Sequence, residues 1–329
     1  MSIKRLAELT HTSPGTVSKA FRESPEISEK TREEIFRVAR REGWFDKYYK
    51  GEKKGKLVGI LCPEPSSELY GAMAGRLAEL LAEQGYDTVV GITAFDEERA
   101  ERLFSQMVGR MQVDGVLSLS GVSRIKNPDR VPFVATGAAA EGCCAALVQG
   151  GIGDTIREAV RVLKEKGHRR VGFLGEERTG VKLALWQAAM RAEGLAVQEK
   201  YIVTVPRRFG EGGYLAMERI LEGGELPTAL FAAYDYMALG AMRCLRDRGL
   251  SVPEDLSLIG MDDISVDAYL DVPLTSVAGD NEAECRKMVE MLLADIARGG
   301  CSGRTVFVPG RLCQRGTVGA PKNEQNAKK

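Results

Sequence analysis

Within ten residues near the start of the chain lie three hydroxyls (Ser13, Thr16 and Ser18), two cations (Lys19 and Arg22) and Gly15. Val17, Ala20 and Phe21 run between them at i, i+3 and i+4, the spacing of one buried helix face. With those three turned inward, the hydroxyls and cations stand on or near the opposite face, where they can donate to phosphate oxygens and base edges. A protein-binding module with a polar face fits the same pattern. Asp235, just after an apolar run, suits the cap of a helix that follows a strand.

Other chemistry is poorly provided for. The seven cysteines lie mostly in apolar runs, no C-x-x-C occurs and there are only two histidines, so packed, reduced thiols are expected rather than zinc ligands. Gly151-Ile152-Gly153 imitates part of a dinucleotide fingerprint, but Ile156 takes its third glycine position. There is no P-loop, no G-x-S-x-G elbow and no identifiable catalytic carboxylate pair, so neither an enzyme nor a cofactor is expected.

The elements that must position these groups begin with three helices. The first starts at Ser2 as N-cap and aligns Ile3, Leu6, Ala7 and Thr10; His11-Thr12 breaks it. Ser13-Pro14, a capping residue followed by proline, opens the second. After a loop at Glu23–Ile27, the third follows Ser28, packs Ile35, Val38 and Ala39, and stops at Gly43. Two short helices joined by a tight turn and braced by a third is the helix-turn-helix plan. Residues 1–56 carry 14 Lys/Arg against 9 Asp/Glu, a net +5, and the rest of the chain 32 against 37, a net −5. A basic head on an acidic body suits a nucleic-acid contact confined to one end.

From Leu57 onward, strand-like runs alternate with amphipathic helices. The runs are Leu57–Cys62, Thr88–Ile92, Gly115–Leu119, Phe133–Thr136, Val171–Leu174, Tyr201–Val205, Ala229–Ala233 and Leu256–Met261; Leu69–Glu83 and Glu97–Met111 are helices between them. The alternation predicts an α/β fold: two doubly wound parallel sheets forming a two-lobed core with a cleft. At 329 residues and 44% apolar composition the chain suits two or three domains with ordinary cores. No stretch reaches the ~18 apolar residues of a membrane span, and MSIKRLAELTHTS has no signal-peptide core, so a cytoplasmic protein is expected.

Several stretches together resemble the lac-repressor (LacI/GalR) family. IKRLAELTHTSPGTVSKAF is similar to its headpiece, with Thr16, Val17 and Ser18 in register with the recognition helix, and Ser28, Thr31 and Arg32 matching the start of its third helix. GHRRVGFLG (167–175), YDYMALGAMRCLRDRGLSVPEDLSLIGMDD (234–263) and DVPLTSV (271–277) match the core motifs in order and spacing. The likeness covers residues 2–46 and 57 to about 318. It departs at His11, where the family has glycine, at Pro14-Gly15 in the base-reading positions, and at Lys19, where arginine is usual.

The resemblance implies a DNA-binding transcription regulator, expected to be a repressor, with a 1–46 headpiece, a 47–56 basic linker, a two-lobed periplasmic-binding-protein-like core over 57–318 and a disordered 319–329 tail. One lobe is expected over about 57–148 plus 278–302, the other over about 149–277 plus 303–318. Implied partners are a near-palindromic double-stranded operator, a second copy of the chain, and a sugar-like effector in the interlobe cleft. DNA contacts are assigned to Ser13, Gly15, Thr16, Ser18, Lys19, Arg22, Ser28 and Arg32, with Tyr48 and Lys50 from the linker. That linker lacks the family's hinge-helix pattern, and a flexible tether is the reading it favours, although Tyr48 or Tyr49 could wedge into a minor groove.

For the effector, Asp262 matches the family's sugar-clamping aspartate, Asp235 the aspartate of its N-D pair, and Lys182 its ligand-gripping arginine. Tyr234 replaces the usual asparagine, and Trp186 and Tyr70 complete the candidates. With several polar anchors changed, two readings stand: an apolar or aromatic ligand stacked on Trp186 or Tyr234, or a cleft that has lost its small molecule and serves dimerisation. Tyr70, Trp186 and Tyr269 equally fit the core. A solute-binding transport protein shares the two-lobed core, but residues 1–46 count against it.

Overall fold

The computed structural model describes residues 3–22, 24–48, 56–139 and 143–322. Ser2, Lys50, linker residues 49–55 and the tail from 323 lie outside them. The head consists of α1 (Ile3–Leu9), α2 (Pro14–Phe21), α3 (Glu29–Arg41) and a single turn, α4 (Phe45–Tyr48). Leu6, Ala7, Val17, Ala20, Phe21, Ile35, Phe36, Val38 and Ala39 bury one common core, so the apolar stripes read from spacing do converge. Ser13 caps α2 by accepting from the Thr16 amide at 3.0 Å, and Ser28 caps α3 by accepting from Thr31 N–H at 3.2 Å. His11 adopts φ 48° in the turn, the left-handed conformation that favours glycine. Gly43, at φ 70°, ends α3 and lets Trp44 N–H reach back to Ala39 C=O at 2.7 Å.

Beyond the linker follow β1 (Leu57–Cys62), α5 (Glu68–Glu83), β2 (Asp87–Ile92), α6 (Glu97–Gly109), β3 (Gly115–Ser118), β4 (Phe133–Thr136), β5 (Ala146–Gly150) and α7 (Ile152–Glu165). Next come β6 (Val171–Glu176), α8 (Gly180–Ala192), β7 (Ile202–Val205), α9 (Phe209–Glu222), β8 (Ala229–Ala232), α10 (Asp235–Asp247) and β9 (Ser257–Met261). β10 (Thr275–Ala278), α11 (Asn281–Arg298), β11 (Thr305–Val308) and β12 (Arg311–Cys313) complete the chain.

Two six-stranded sheets result, ordered β11-β5-β4-β3-β1-β2 and β12-β10-β9-β8-β6-β7. β1 pairs in parallel with both β2 and β3, and β6 with both β7 and β8; β12 alone is seen to pair antiparallel, against β10. The chain divides into two compact units, Met1–Gln149 with Asn281–Val306, and Gly150–Asp280 with Phe307–Lys329, so it passes between them three times.

In each sheet the order reverses beside one strand, β1 in the first and β6 in the second. The crevice at the carboxyl ends of the strands flanking such a reversal is where open α/β sheets hold ligands. In the second unit Phe173, Trp186, Phe231, Met237, Leu258 and Ile259 are fully buried in one core. Its α9 and α10 meet backbone to backbone. A Cβ on Gly213 would lie 1.9 Å from Met237 O, and one on Gly240 2.0 Å from Gly210 O. Only glycine fits at either position.

Candidate functional site

On α2 the buried face is Val17, Ala20 and Phe21. Ser13, Gly15, Lys19 and Arg22 are exposed, and Thr16 and Ser18 half-buried. Six of the expected DNA contacts therefore share the outward side of one helix and its cap. Two of the hydroxyls are engaged locally, Ser13 Oγ lying 2.9 Å from Thr16 Oγ1. The Lys19 ammonium pairs with Glu26 across the loop, leaving Arg22 as the cation on this face with no ion pair among those seen.

The remaining head assignments fare differently. Ser28 is exposed and caps α3. Arg32 turns inward: its guanidinium donates to Ser24 O at 3.0 Å and Ile27 O at 3.4 Å, tying down the loop before α3. It is a brace, not a free phosphate ligand. Tyr48, expected in a tether or as a wedge, ends α4 with its ring 5.9 Å from that of Phe21, packed against the head core. The reason is apolar: Phe21, Phe36 and Phe45 already form an aromatic cluster there, and a fourth ring extends it. The head thus continues to Tyr48 and does not end at residue 46.

In the second unit, polar groups gather beyond the carboxyl ends of β6, β8 and β9. Lys182 on α8 donates to Ala233 O at 2.8 Å, just past β8, and to Asp262 Oδ1 at 3.3 Å, just past β9. Both side chains keep some exposure, 27% and 15%. Burial pushes the Asp262 carboxyl up, and the Lys182 ammonium opposes it. Asp262 takes φ 107° and Asp263 φ 53°, a backbone strained in two successive residues at the point where the side chain is presented.

Tyr234, nearly buried, lies under Lys182, with the ammonium 5.7 Å from its ring centroid. Its hydroxyl accepts from the Phe209 amide at 2.9 Å. Burial raises that hydroxyl's pKa, and the Phe209 amide works against the rise. Phe209 itself has φ 57°, a left-handed conformation rare for an aromatic residue, and its ring meets those of Tyr234 and Tyr236 edge-on at 5.9 and 5.5 Å. Beside it, Arg208 pairs with the buried Glu176 at 3.6 Å. Glu176, Arg208 and Phe209 escaped the sequence reading, because isolated charges before a helix look like solvated surface and strain leaves no mark on composition.

Two of the expected ligand contacts are structural. Asp235 is fully buried; it accepts from Ser276 Oγ at 2.7 Å and Ile264 N–H at 3.2 Å, joining the start of α10 to β10 and to the turn after β9. Burial, and then the neighbouring Asp267 and Asp262, raise its pKa well above the usual carboxylate range. Trp186 is also fully buried, 5.5 Å from Phe173, and its indole N–H has no hydrogen-bond partner. A ring enclosed on every side cannot stack on a ligand, so the core reading of Trp186 is the right one. Tyr70 belongs to the first unit, on α5 with its ring 5.7 Å from Phe95. Tyr269 is 86% exposed and not a core residue.

His168 is buried between Thr228 Oγ1 (2.9 Å) and Gly319 O (3.0 Å), a structural clasp on the end of the described chain. Among the described residues no cluster of His, Cys, Asp or Glu could hold a metal ion, and no helix is long and apolar enough to cross a membrane.

A helix-turn-helix head followed by two doubly wound sheets, with a hydrogen-bonding cluster at a sheet's reversal point, is the architecture of a DNA-reading regulator. Residues 160–318 match the model of the periplasmic binding protein-like domain. An uncharacterised HTH-type transcriptional regulator from the aml 5' region of Streptomyces limosus is 30% identical, the match covering 93% of this chain and 92% of that one. The transcriptional repressor PurR of Klebsiella pneumoniae is 27% identical over 96% of each chain. Among solved structures, a LacI-family transcriptional regulator of Sanguibacter keddieii has 30% identity and TM-score 0.70, covering 79% of this chain and 97% of that one. The regulator CelR in complex with cellobiose has 25% identity and TM-score 0.67, over 97% and 100%. The chain belongs to the LacI family of transcriptional regulators. It is a DNA-binding regulator, not an enzyme.

Proposed function

We propose that the protein is a cytoplasmic repressor that binds a near-palindromic operator as a homodimer and is controlled by a small hydroxylated effector. Residues 1–48 serve as the DNA reader, 49–56 as the link, and 57–318 as the effector-binding and dimerisation core. The observation that carries the reading is the split of α2 into a wholly buried apolar side and a side displaying Ser13, Gly15, Lys19 and Arg22. A helix of this kind enters a major groove, and two of them one helical turn apart require a symmetric dimer. Gly15 admits close approach of the backbone to DNA, and Lys19 offers a point charge in place of arginine's fork. Readout then leans on DNA shape and backbone contacts more than on bidentate pairing.

For the effector, Asp262 is the acceptor of hydroxyl protons, Lys182 the donor and the Tyr234–Phe209 pair an aromatic wall. Cellobiose in the CelR complex supports a sugar-like ligand for a core of this fold. An effector changes DNA affinity only through its differential affinity for two arrangements of the core. A second reading, a core that no longer binds a small molecule, is favoured by one observation: two of the three Lys182 donors are already taken by Ala233 O and Asp262.

Genome-wide mapping of bound sites, followed by gel shifts of the recovered fragments with and without metabolites of neighbouring transport or catabolic genes, tests the whole proposal. Bound sites with an inverted repeat, released by one metabolite in the native protein but not in Asp262→Asn, are expected. Failure to shift any genomic fragment at low ionic strength would overturn the DNA reading. Binding that no metabolite alters would leave the second reading standing in place of the first.

A further inference from the structure

β5 and β11 are the two strands on which the chain passes from the first unit into the second, and they are neighbours in one sheet, with Leu147 N–H donating to Arg304 O at 2.7 Å. Cys144 stands two residues before β5, and Cys301 four before β11. The Cys144 thiol donates to the carbonyl oxygen of Cys301 at 3.5 Å, which brings its sulfur against the Cys301 main chain. The surroundings hold them there. Buried Asn127 donates through Nδ2 to Cys144 O at 2.9 Å and Val131 O at 2.8 Å, and accepts from Val131 N–H at 2.9 Å. Arg130, at φ 51°, closes the turn; it accepts from Cys301 N–H at 3.0 Å, and its guanidinium donates to Cys301 O at 3.3 Å.

We infer that Cys144 and Cys301 are an oxidation-sensitive pair, Cys144 the sulfur that meets a hydroperoxide and Cys301 the one that resolves it, closing to a disulfide at the root of the two connecting strands. The roles follow from access. Cys144 is half-buried, so it is the sulfur of the pair that an oxidant reaches first. Cys301 is 4% exposed, and its thiol donates to Phe133 O at 3.7 Å. Burial, and then contact with Cys144, push its pKa up to about 11, which shields it from direct attack by an oxidant.

In the first step the Cys144 thiol gives up its proton and the sulfur attacks a peroxide oxygen; the S–O bond forms, the O–O bond breaks, and the leaving oxygen takes that proton, so that sulfenic acid and an alcohol or water result. In the second, the Cys301 sulfur attacks the sulfenic sulfur. The S–S bond forms, the S–O bond breaks, and hydroxide leaves with the Cys301 proton as water. Two thiols supply the two electrons that reduce one hydroperoxide. The bridge joins points 157 positions apart in sequence, a long loop whose closure restricts the unfolded chain strongly.

The test uses the full-length protein, reduced and freed of reductant, then treated with hydrogen peroxide in small molar excess, alkylated, and digested without reduction for mass spectrometry. A Cys144–Cys301 linkage is expected, reversed by dithiothreitol, retained in Cys143→Ser and lost in Cys144→Ser. In Cys301→Ser the sulfenic acid at Cys144 persists and is captured by dimedone. Oxidised native protein melts several degrees above the reduced form, whereas Cys144→Ser shows no such rise. Cross-links that run through Cys143 instead, or thiols at both positions that stay free while other cysteines oxidise or none does, would overturn the inference; the mapping on native protein holds even if a variant folds poorly.

Discussion

Asp235 is a carboxylate turned into the packing beneath the strand-end cluster rather than presented at it. Replacing it with alanine strips two buried donors, Ser276 Oγ–H and Ile264 N–H, of their acceptor. Each orphaned group costs ~1–3 kcal/mol, so roughly 2–6 kcal/mol of stability should go. Asparagine keeps an acceptor oxygen, and its amide can donate toward Asp267; the loss should stay below ~1 kcal/mol at pH 5. The pH dependence carries a sign. A folded-state pKa raised by burial and by Asp267 means that the native protein holds a proton the unfolded chain releases. The stability from Asp235 is therefore complete below the ordinary carboxylate range, and drains away as pH rises through the raised value. Asp235→Asn should thus gain on the native protein steadily from about pH 4 upward. Urea unfolding followed by the fluorescence of Trp186, the one tryptophan of the second unit, reads that unit directly. Alanine costing no more than asparagine, or a gap between asparagine and native protein that shrinks as pH rises, would refute the reasoning.

Three further outcomes are expected. Lys19→Ala should cost operator binding about 1–3 kcal/mol and nonspecific DNA much less; equal losses, with the salt slope falling by about 0.9, would assign Lys19 to a phosphate. His11→Gly should raise the head's thermal stability by roughly 0.5–1 kcal/mol, since the φ of 48° strains any residue with a Cβ. Calorimetry of residues 1–48, where they fold alone, or of the full chain, reads it. Trp186→Ala should cost about 3–5 kcal/mol by cavity formation, whereas Trp186→Phe, keeping the ring contact with Phe173, should lose far less; both are measured by denaturant midpoint.

Much of the fold is legible because burial writes a period into the chain. Val17, Ala20 and Phe21 give the recognition helix away, and continuous apolar runs such as Leu57–Cys62 mark strands covered on both faces. β5, β10, β11 and β12 are missed as runs, and β12 is three residues whose place comes from pairing with β10. Of the candidate site, spacing finds what is exposed on a helix, and resemblance finds Lys182 and Asp262, which do meet. Neither can tell a carboxylate presented at a surface from one turned beneath it. Asp235 and Asp262 each follow a strand end, and only the packing of Ser276 and Ile264 around the first distinguishes them. Trp186 lies one turn beyond Lys182 on α8, so a helical wheel puts both on one side while the core claims the larger.

The glycine contacts between α9 and α10 have a mechanical consequence. With Gly213 against Met237 and Gly240 against Gly210, neither helix can slide or roll without driving one main chain into the other, so the pair behaves as a single stiff plate. Phe209 begins one helix and Tyr234 immediately precedes the other. A push delivered to either ring is therefore not absorbed locally. It tilts the whole plate, and the far ends of both helices swing with it like the blade of an oar.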